Sequence, residues 1–403
     1  MRQTVFTRFR HLLPGALFLY IPLSISAAEL SGNIALEGRC FPEEPAYASQ
    51  EQHNASVAIE PEFYHRFSSG SQLVLKPFAR LDSSTDQRSH SDIREANFLY
   101  AGDNLDVQIG LSKVFWGAAE FVHLVDIINQ TDGVEGFDGE EKLGQPMLRF
   151  SLFMDRGTVD AFVLPWFRER TFGGEKDRLR TPVVVDTEQA IYESAAEQHH
   201  VDFALRYSTT FGDADVGLYH FVGTSREPDL LPGGTSDTPD YPVLLPFYPQ
   251  ISQTGLDLQM AVGRWLLKGE ALYRSGQGRP FAAAVCGVEY TFFGINDSAM
   301  DLGLIGEYIF DDRADNILSP FNNDMMGGLR LALNDTAGTE ILTGIMKDVE
   351  LSTYIFSVEG KRRIGEQMLL HIEAMSVLDA DGTDPASAFA DDPHLIFELQ
   401  YFF

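Results

Sequence analysis

Acidic side chains crowd into one stretch of the chain, residues 115 to 145. Its acids are Glu120, Asp126, Asp132, Glu135, Asp138, Glu140 and Glu141, and Lys142 is the single lysine or arginine among them. Beside a low-dielectric wall, a cluster of like charges concentrates its electric field on the ions and solutes that pass close to it. The chemistry expected of this stretch is therefore electrostatic attraction of cations rather than bond making.

Bond-making chemistry has no comparable signal. The sequence contains no H-E-x-x-H, G-x-S-x-G or P-loop pattern. His199 and His200 lie in a polar stretch and are interpreted as surface residues rather than as a metal site. Cys40 and Cys286 are not expected to form a disulfide, since strand alternation assigns Cys286 to an outer face. We predict no enzymatic activity, no metal site and no cofactor.

The composition excludes further classes. The 403 residues carry a formal net charge of -29, which repels polyphosphate and makes nucleic-acid binding through a basic surface improbable. With 44% hydrophobic and 12% aromatic residues, the chain is too apolar for a disordered protein. Its length fits either several ordinary domains or one large barrel.

The first residues indicate export. Arg2, Arg8 and Arg10 precede an apolar run from Leu12 to Ile25, and Ser26-Ala27-Ala28 supplies the small residues of a cleavage site. We predict a signal peptide over residues 1–28 and a single domain over 29–403. An uncleaved anchor is the alternative, although prolines interrupt the apolar run.

The last ten residues alternate with a period of two, which is typical of a strand with one apolar face. The apolar positions are Leu395, Phe397, Leu399, Tyr401 and Phe403. This ending resembles the C-terminal signal of bacterial outer-membrane β-barrels, which their assembly machinery reads. The resemblance implies that Leu399, Tyr401 and Phe403 form an assembly signal. A soluble periplasmic or secreted sheet that ends in a buried strand is the alternative.

Similar strands occur in pairs joined by short polar or glycine-rich turns, for example Thr254 to Val262 and Trp265 to Arg274 around Gly263-Arg264. Eight such hairpins and the two terminal strands make eighteen strands, and sixteen stays open. The connections between hairpins are mostly much longer. The predicted fold is all-β: a transmembrane antiparallel up-and-down β-barrel with short periplasmic turns and long external loops.

In this layout the chain resembles bacterial porins. The residues Trp116-Gly117, followed by Asp126-Ile127-Ile128-Asn129 and Asp132, also resemble a W-G…D-I-I-N-x-x-D segment of poorly characterised proteobacterial outer-membrane barrels. The resemblance implies an outer-membrane channel for small hydrophilic solutes, in contact with lipid and lipopolysaccharide and compatible with a homo-oligomer. A structural or adhesive barrel that presents acidic external loops, without transport, is the alternative.

In many porins the third external loop folds into the lumen, so the resemblance implies a constriction over residues 115–145. Phe121, Leu124, Val125 and Ile128 recur there at helical spacing. If the loop points inward, its acids make the channel cation-attracting. Alternatively, they form a solvated acidic edge outside, or contact lipopolysaccharide through divalent cations.

Basic residues are predicted on the inner wall by the same alternation. They are Arg66, Lys76, Arg80, Arg149 and Arg206. Opposite an acidic loop, they would create a transverse field across a constriction. The alternative is that they pair with Glu60, Glu62, Asp82 and Asp202 and simply line a wet interior.

Overall fold

The computed structural model describes residues 28–136, 139–235, 242–313 and 321–403. The predicted signal peptide lies outside these ranges apart from Ala28, and so does Asp138 of the predicted constriction. Within them, no helix is long and apolar enough to cross a membrane.

Eighteen strands form one sheet. They are β1 (Glu29–Cys40), β2 (His53–Arg66), β3 (Gln72–Asp82), β4 (Ser91–Tyr100), β5 (Leu105–Ser112), β6 (Gln145–Met154), β7 (Gly157–Leu164), β9 (Asp202–Phe211), β10 (Ala214–Thr224), β13 (Gln250–Val262), β14 (Trp265–Ser275), β15 (Phe281–Phe292), β16 (Asp301–Asp311), β17 (Asn323–Ala332), β18 (Glu340–Asp348), β19 (Tyr354–Ile364), β20 (Met368–Asp379) and β21 (His394–Phe402). Three further strands form a small separate sheet: β8 (Ile191–Tyr192), β11 (Asp229–Thr235) and β12 (Pro242–Tyr248).

Each strand of the large sheet pairs antiparallel with its neighbour along the chain, and β21 pairs with β1 to close a barrel. Closure pairs the backbone groups that an open sheet would leave at its edges. The predicted closed antiparallel barrel is confirmed, and the strand number is eighteen rather than sixteen. All eight predicted hairpins pair as expected.

Short turns and long connections lie at opposite ends of the barrel. We call these the turn end and the loop end. Several of the turns need positive backbone angles, which glycines such as Gly212 (φ 63°) and Gly263 (φ 64°) adopt without a Cβ penalty. The longest connections are residues 113–144 between β5 and β6, 165–201 between β7 and β9, and 225–249 between β10 and β13.

The two faces of the wall differ as the alternation predicts. On β13, Leu256 is 41% exposed on the outer face, whereas the neighbouring Asp257 is 9% exposed on the inner face. Trp265 and Tyr290 pack edge to face on the outside near the turn end. The outer face is therefore an apolar surface with aromatic side chains near one rim, and the inner face carries the charges.

The largest differences from the strand boundaries that the sequence predicts are five residues each, at the end of β19 and at the start of β17. We expected β19 to end at Glu359 because Gly360 follows, but the strand continues to Ile364. Of Gly360 and Gly365, it is Gly365 that has a positive φ, of 68°, and the chain turns there. β17 begins at Asn323, five residues before the predicted Gly328. The small sheet of β8, β11 and β12 was not predicted, since its residues fall within two long connections that we interpreted as external loops.

Candidate functional site

The connection from residue 113 to 144 is here called the inserted segment, and its described residues, 113–136 and 139–144, lie inside the barrel. Trp116 is buried, and its ring centroid lies 5.6 Å from that of Phe162 on β7 and 4.9 Å from that of Tyr219 on β10. Farther along, the Phe121 ring reaches the wall at Gly328 and Gly344. A Cβ at these glycines would lie 3.0 Å and 2.9 Å from that ring. The inserted segment therefore crosses the interior from β5 to β17 and β18.

Two buried wall glutamates hold the backbone of this segment. Glu270 on β14 accepts hydrogen bonds from the amides of Ala118 (2.7 Å), Ala119 (2.9 Å) and Val125 (3.2 Å). Glu307 on β16 accepts from the amides of residues 120 (2.7 Å) and 121 (3.1 Å).

Residues 115–128 form no helix, although their apolar residues recur at helical spacing. The hydrogen bonds to Glu270 and Glu307 explain this difference. The amides that a helix would bond internally donate to the wall instead. Phe121 and Leu124 pack against the wall residues Val285 and Ile309, and Val125 and Ile128 pack in a second cluster with Phe162.

The predicted acids of the segment occupy two environments. Asp126 contacts Lys142 at 3.3 Å, Asp132 contacts Arg94 at 2.5 Å, and Glu135 contacts Arg80 at 2.9 Å; these three carboxylates are almost fully buried. Glu140 and Glu141 keep more than half of their side-chain surface exposed.

His123 links the segment to the same wall carboxylate as the amides. Its Nδ1 lies 4.0 Å from Glu270, and its Nε2 lies 3.8 Å from Glu140. Burial alone would lower the pKa of His123, but these two carboxylates outweigh it and raise the pKa to about 9. At neutral pH a positive charge therefore adds to the hold on the segment.

The predicted basic wall residues are paired in different ways. Lys76 contacts Glu62 and Glu95, Arg149 contacts Asp160, and Arg206 contacts Asp257. Arg80 contacts the inserted segment through Glu135 and also contacts Glu37. Arg66 is exposed at the end of β2 beside the turn. Arg80 thus joins the wall to an acid of the segment.

Two carboxylates that we considered as wall partners have other arginines. Asp82 contacts Arg88, and Asp202 contacts Arg226 at 2.7 Å. Arg226 also donates to the carbonyl of Ile128 in the inserted segment. Alternation along single strands could not reveal these pairings because Arg88 and Arg226 lie in connections, outside the strands.

The tip of the segment carries a contact that our site prediction omitted. Glu120 lies 2.6 Å from Lys268 on β14 and 2.6 Å from Arg330 on β17. Alternation correctly predicts that Lys268 faces inward. The path of the segment, which brings Glu120 between the two bases, had no signal in the sequence.

The other side of the interior is open. Inward-facing side chains of β18, β19 and β20 are well exposed: Glu340 at 43%, Glu359 at 52%, Lys361 at 49% and His371 at 28% of their side-chain surface. By contrast, the residues beneath the segment, such as Phe162 and Val285, are nearly fully buried. The segment thus covers the inner wall on one side of the barrel and leaves the inward-facing side chains of Glu340, Glu359 and His371 facing water.

Within the described ranges, no three His, Cys, Asp or Glu side chains are grouped to hold a metal ion. Cys40 and Cys286 are both free and exposed.

No protein-family model matches the sequence, and no curated protein matches it. Similar solved structures include engineered variants of the Rhodopseudomonas blastica porin. One triple mutant is 13% identical at a TM-score of 0.45, over 94% of this chain and 100% of the other. A second variant is 10% identical at the same TM-score and coverage. At these identities the likeness assigns the chain to no family.

Proposed function

We propose that the protein is an outer-membrane channel through which small hydrophilic solutes diffuse, with a preference for cations. One observation carries the proposal. The closed barrel has an apolar outer face, and charged side chains on the inner wall of β18 to β20 are exposed to water. Charged side chains on an inner wall are stable when water or partners solvate them, and eighteen strands leave room for an aqueous passage.

The surroundings of the channel follow from the same faces. The apolar outer face suits lipid and lipopolysaccharide, and a signal peptide over residues 1–28 would deliver the chain for export. Leu399 and Tyr401 lie on the outer face of β21, which pairs with β1 and closes the barrel. These residues and Phe403 are proposed as the signal that the assembly machinery reads. A homo-oligomer would bury part of the apolar face.

Within the channel, the inserted segment is proposed to form the constriction. Its buried acids Asp126, Asp132 and Glu135 would fix its position through their ion pairs, together with Arg80 on the wall. Asp138 lies outside the described residues and is proposed to belong to the same constriction, with Glu140 and Glu141 at its exposed edge. Lys76, Arg149, Arg206 and Arg66 would line the interior.

Liposome swelling tests the proposal. Vesicles that contain the folded protein should swell in isotonic solutions of small sugars and amino acids, and the rate should fall as the solute becomes larger. Vesicles with heat-unfolded protein are the control. If folded protein gives no more swelling than the control, the structural or adhesive alternative is favoured.

A further inference from the structure

His371 on β20 lies on the open side of the interior among carboxylates. Its Nε2 is 3.0 Å from an Oε1 of Glu359 on β19. Its cross-strand partners are Glu398 on β21 and Lys361 on β19. Glu373, two residues farther along β20, lies directly opposite Glu359. One titratable imidazole therefore faces three carboxylates, those of Glu359, Glu373 and Glu398.

The pairing register places this group inside the barrel. Arg330 touches Glu120 of the inserted segment, so it faces inward. Cross-strand partners share a face of the sheet. Leu342 is the partner of Arg330, Glu359 is the partner of Leu342, and Glu373 is the partner of Glu359. His371 and Glu398 follow on the same face.

The remaining charged neighbours are largely paired with one another. Lys361 lies 2.7 Å from Glu340 on β18. On the segment, Glu120 acts electrostatically on Glu359 but is itself held between Lys268 and Arg330. Glu398 lies 4.0 Å from Arg80. In this part of the wall, His371 is therefore the side chain whose charge changes most readily near neutral pH.

We propose that His371 sets the ionic selectivity of the channel in a pH-dependent way, by cancelling or releasing the negative charge of the carboxylates around it. This inference rests on the proposed channel function and adds a specificity-determining residue to it. When His371 is protonated, the wall loses one net negative charge beside the open passage. When it is neutral, a passing cation meets the carboxylates of Glu359, Glu373 and Glu398 without that compensation.

The direction of the effect is fixed by this arrangement. Carboxylates exposed to an aqueous lumen stay ionised above about pH 5, so between about pH 5 and pH 8 the charge beside the open passage changes at His371, whereas His123 on the segment loses its proton only near pH 9. Cation preference should rise with pH over this range. One unit charge about 5 Å from the ion path, in water at 0.1 M salt, changes the local cation concentration about twofold.

The experiment is a bilayer recording of reversal potential under a KCl gradient, at several pH values from 5 to 8. For the wild-type protein we expect the K⁺/Cl⁻ permeability ratio to rise about twofold with pH. His371→Asn should abolish the rise, and Glu359→Gln should lower the ratio at high pH. His220→Asn is the matched control, because His220 lies exposed on the outer face of β10 and bonds to Thr254. It should behave as wild type.

Two outcomes separate this inference from the proposed function. If no current flows at any pH, the proposed function fails and the inference fails with it. If current flows but the permeability ratio is independent of pH, or its pH dependence survives in His371→Asn, the inference alone is wrong.

NMR titration of the His371 imidazole in detergent gives a readout without current. Its pKa should fall in Glu359→Gln, and an unchanged value would overturn the coupling. A gel-mobility shift on heating checks that each variant is folded.

Discussion

Three backbone amides of the inserted segment, those of Ala118, Ala119 and Val125, donate to the side chain of Glu270. Replacing Glu270 with Ala leaves these buried donors without an acceptor. A buried donor without a partner costs about 1–3 kcal/mol. We expect hydrogen exchange at the three amides to accelerate at least about tenfold, since 1.4 kcal/mol corresponds to a factor of ten.

Glu340→Ala is the matched control for this change, since Glu340 faces inward but contacts Lys361 rather than the segment. The same amides should exchange in it as in the wild-type protein. Equal exchange in Glu270→Ala and Glu340→Ala would contradict the role of Glu270 in holding the segment.

Neutralising the buried acids of the segment should affect stability as well as selectivity. Asp132 and Glu135 are paired with Arg94 and Arg80, so removing the acids leaves buried arginines uncompensated. Breaking a buried ion pair from one side costs about 3–5 kcal/mol. The triple change Asp132→Asn, Glu135→Gln and Asp138→Asn is therefore expected to reduce both the free energy of unfolding and the cation preference.

The control is the double change Glu140→Gln and Glu141→Gln, whose side chains are more than half exposed. Exposed pairs contribute about 0–1 kcal/mol, so this variant should unfold near the wild-type denaturant concentration. A triple variant as stable as this control would show that the buried pairs do not hold the segment.

At the level of elements, alternation located the strands because one face meets an apolar environment and the other meets charges. The same pattern placed Arg80, Arg149 and Arg206 on the inner face, as the pairing register shows. Alternation gave the wrong end for β19, because either Gly360 or Gly365 could begin the turn. The backbone conformation distinguishes the two glycines, and the sequence does not show it. Alternation could not give the path of the inserted segment, which depends on contacts with β14 and β16 more than a hundred residues away.

The closing strand gives a prediction about assembly. The backbone of Phe403 exchanges hydrogen bonds with Gly32 on β1, at 3.1 Å and 3.0 Å. Removing Phe403 deletes this last pair beside the seam and shortens the apolar face of β21. We expect a large drop in the amount of barrel inserted in the outer membrane, measured by the heat-modifiable band on gels. Arg363→Ala is the control, since it truncates a solvent-exposed side chain. It should leave the amount of inserted barrel unchanged.

For the whole molecule, the arrangement is asymmetric. The inserted segment contacts the inner wall as far as β17 and β18, whereas the inward-facing Glu359, Lys361 and His371 of β19 and β20 stay exposed to water. Solutes would therefore pass along one side of the barrel, between the tip of the segment at Glu120 and the carboxylates near Glu359. Carboxylates lie on both sides of this path, and those of the wall carry more exposed surface than Glu120. This arrangement supports a cation preference.

The most direct test is the reversal potential of purified protein in a planar bilayer, with KCl concentrated on one side and the pH held at 8. The proposed channel should give discrete conductance steps, and the current should reverse at a potential of the sign that K⁺ selectivity requires. Raising the salt on both sides should weaken the preference, because screening shortens the reach of the wall charges to about 3 Å at 1 M. The account would be contradicted if folded protein gave no conductance steps, or if the current reversed at a potential of the sign that Cl⁻ selectivity requires.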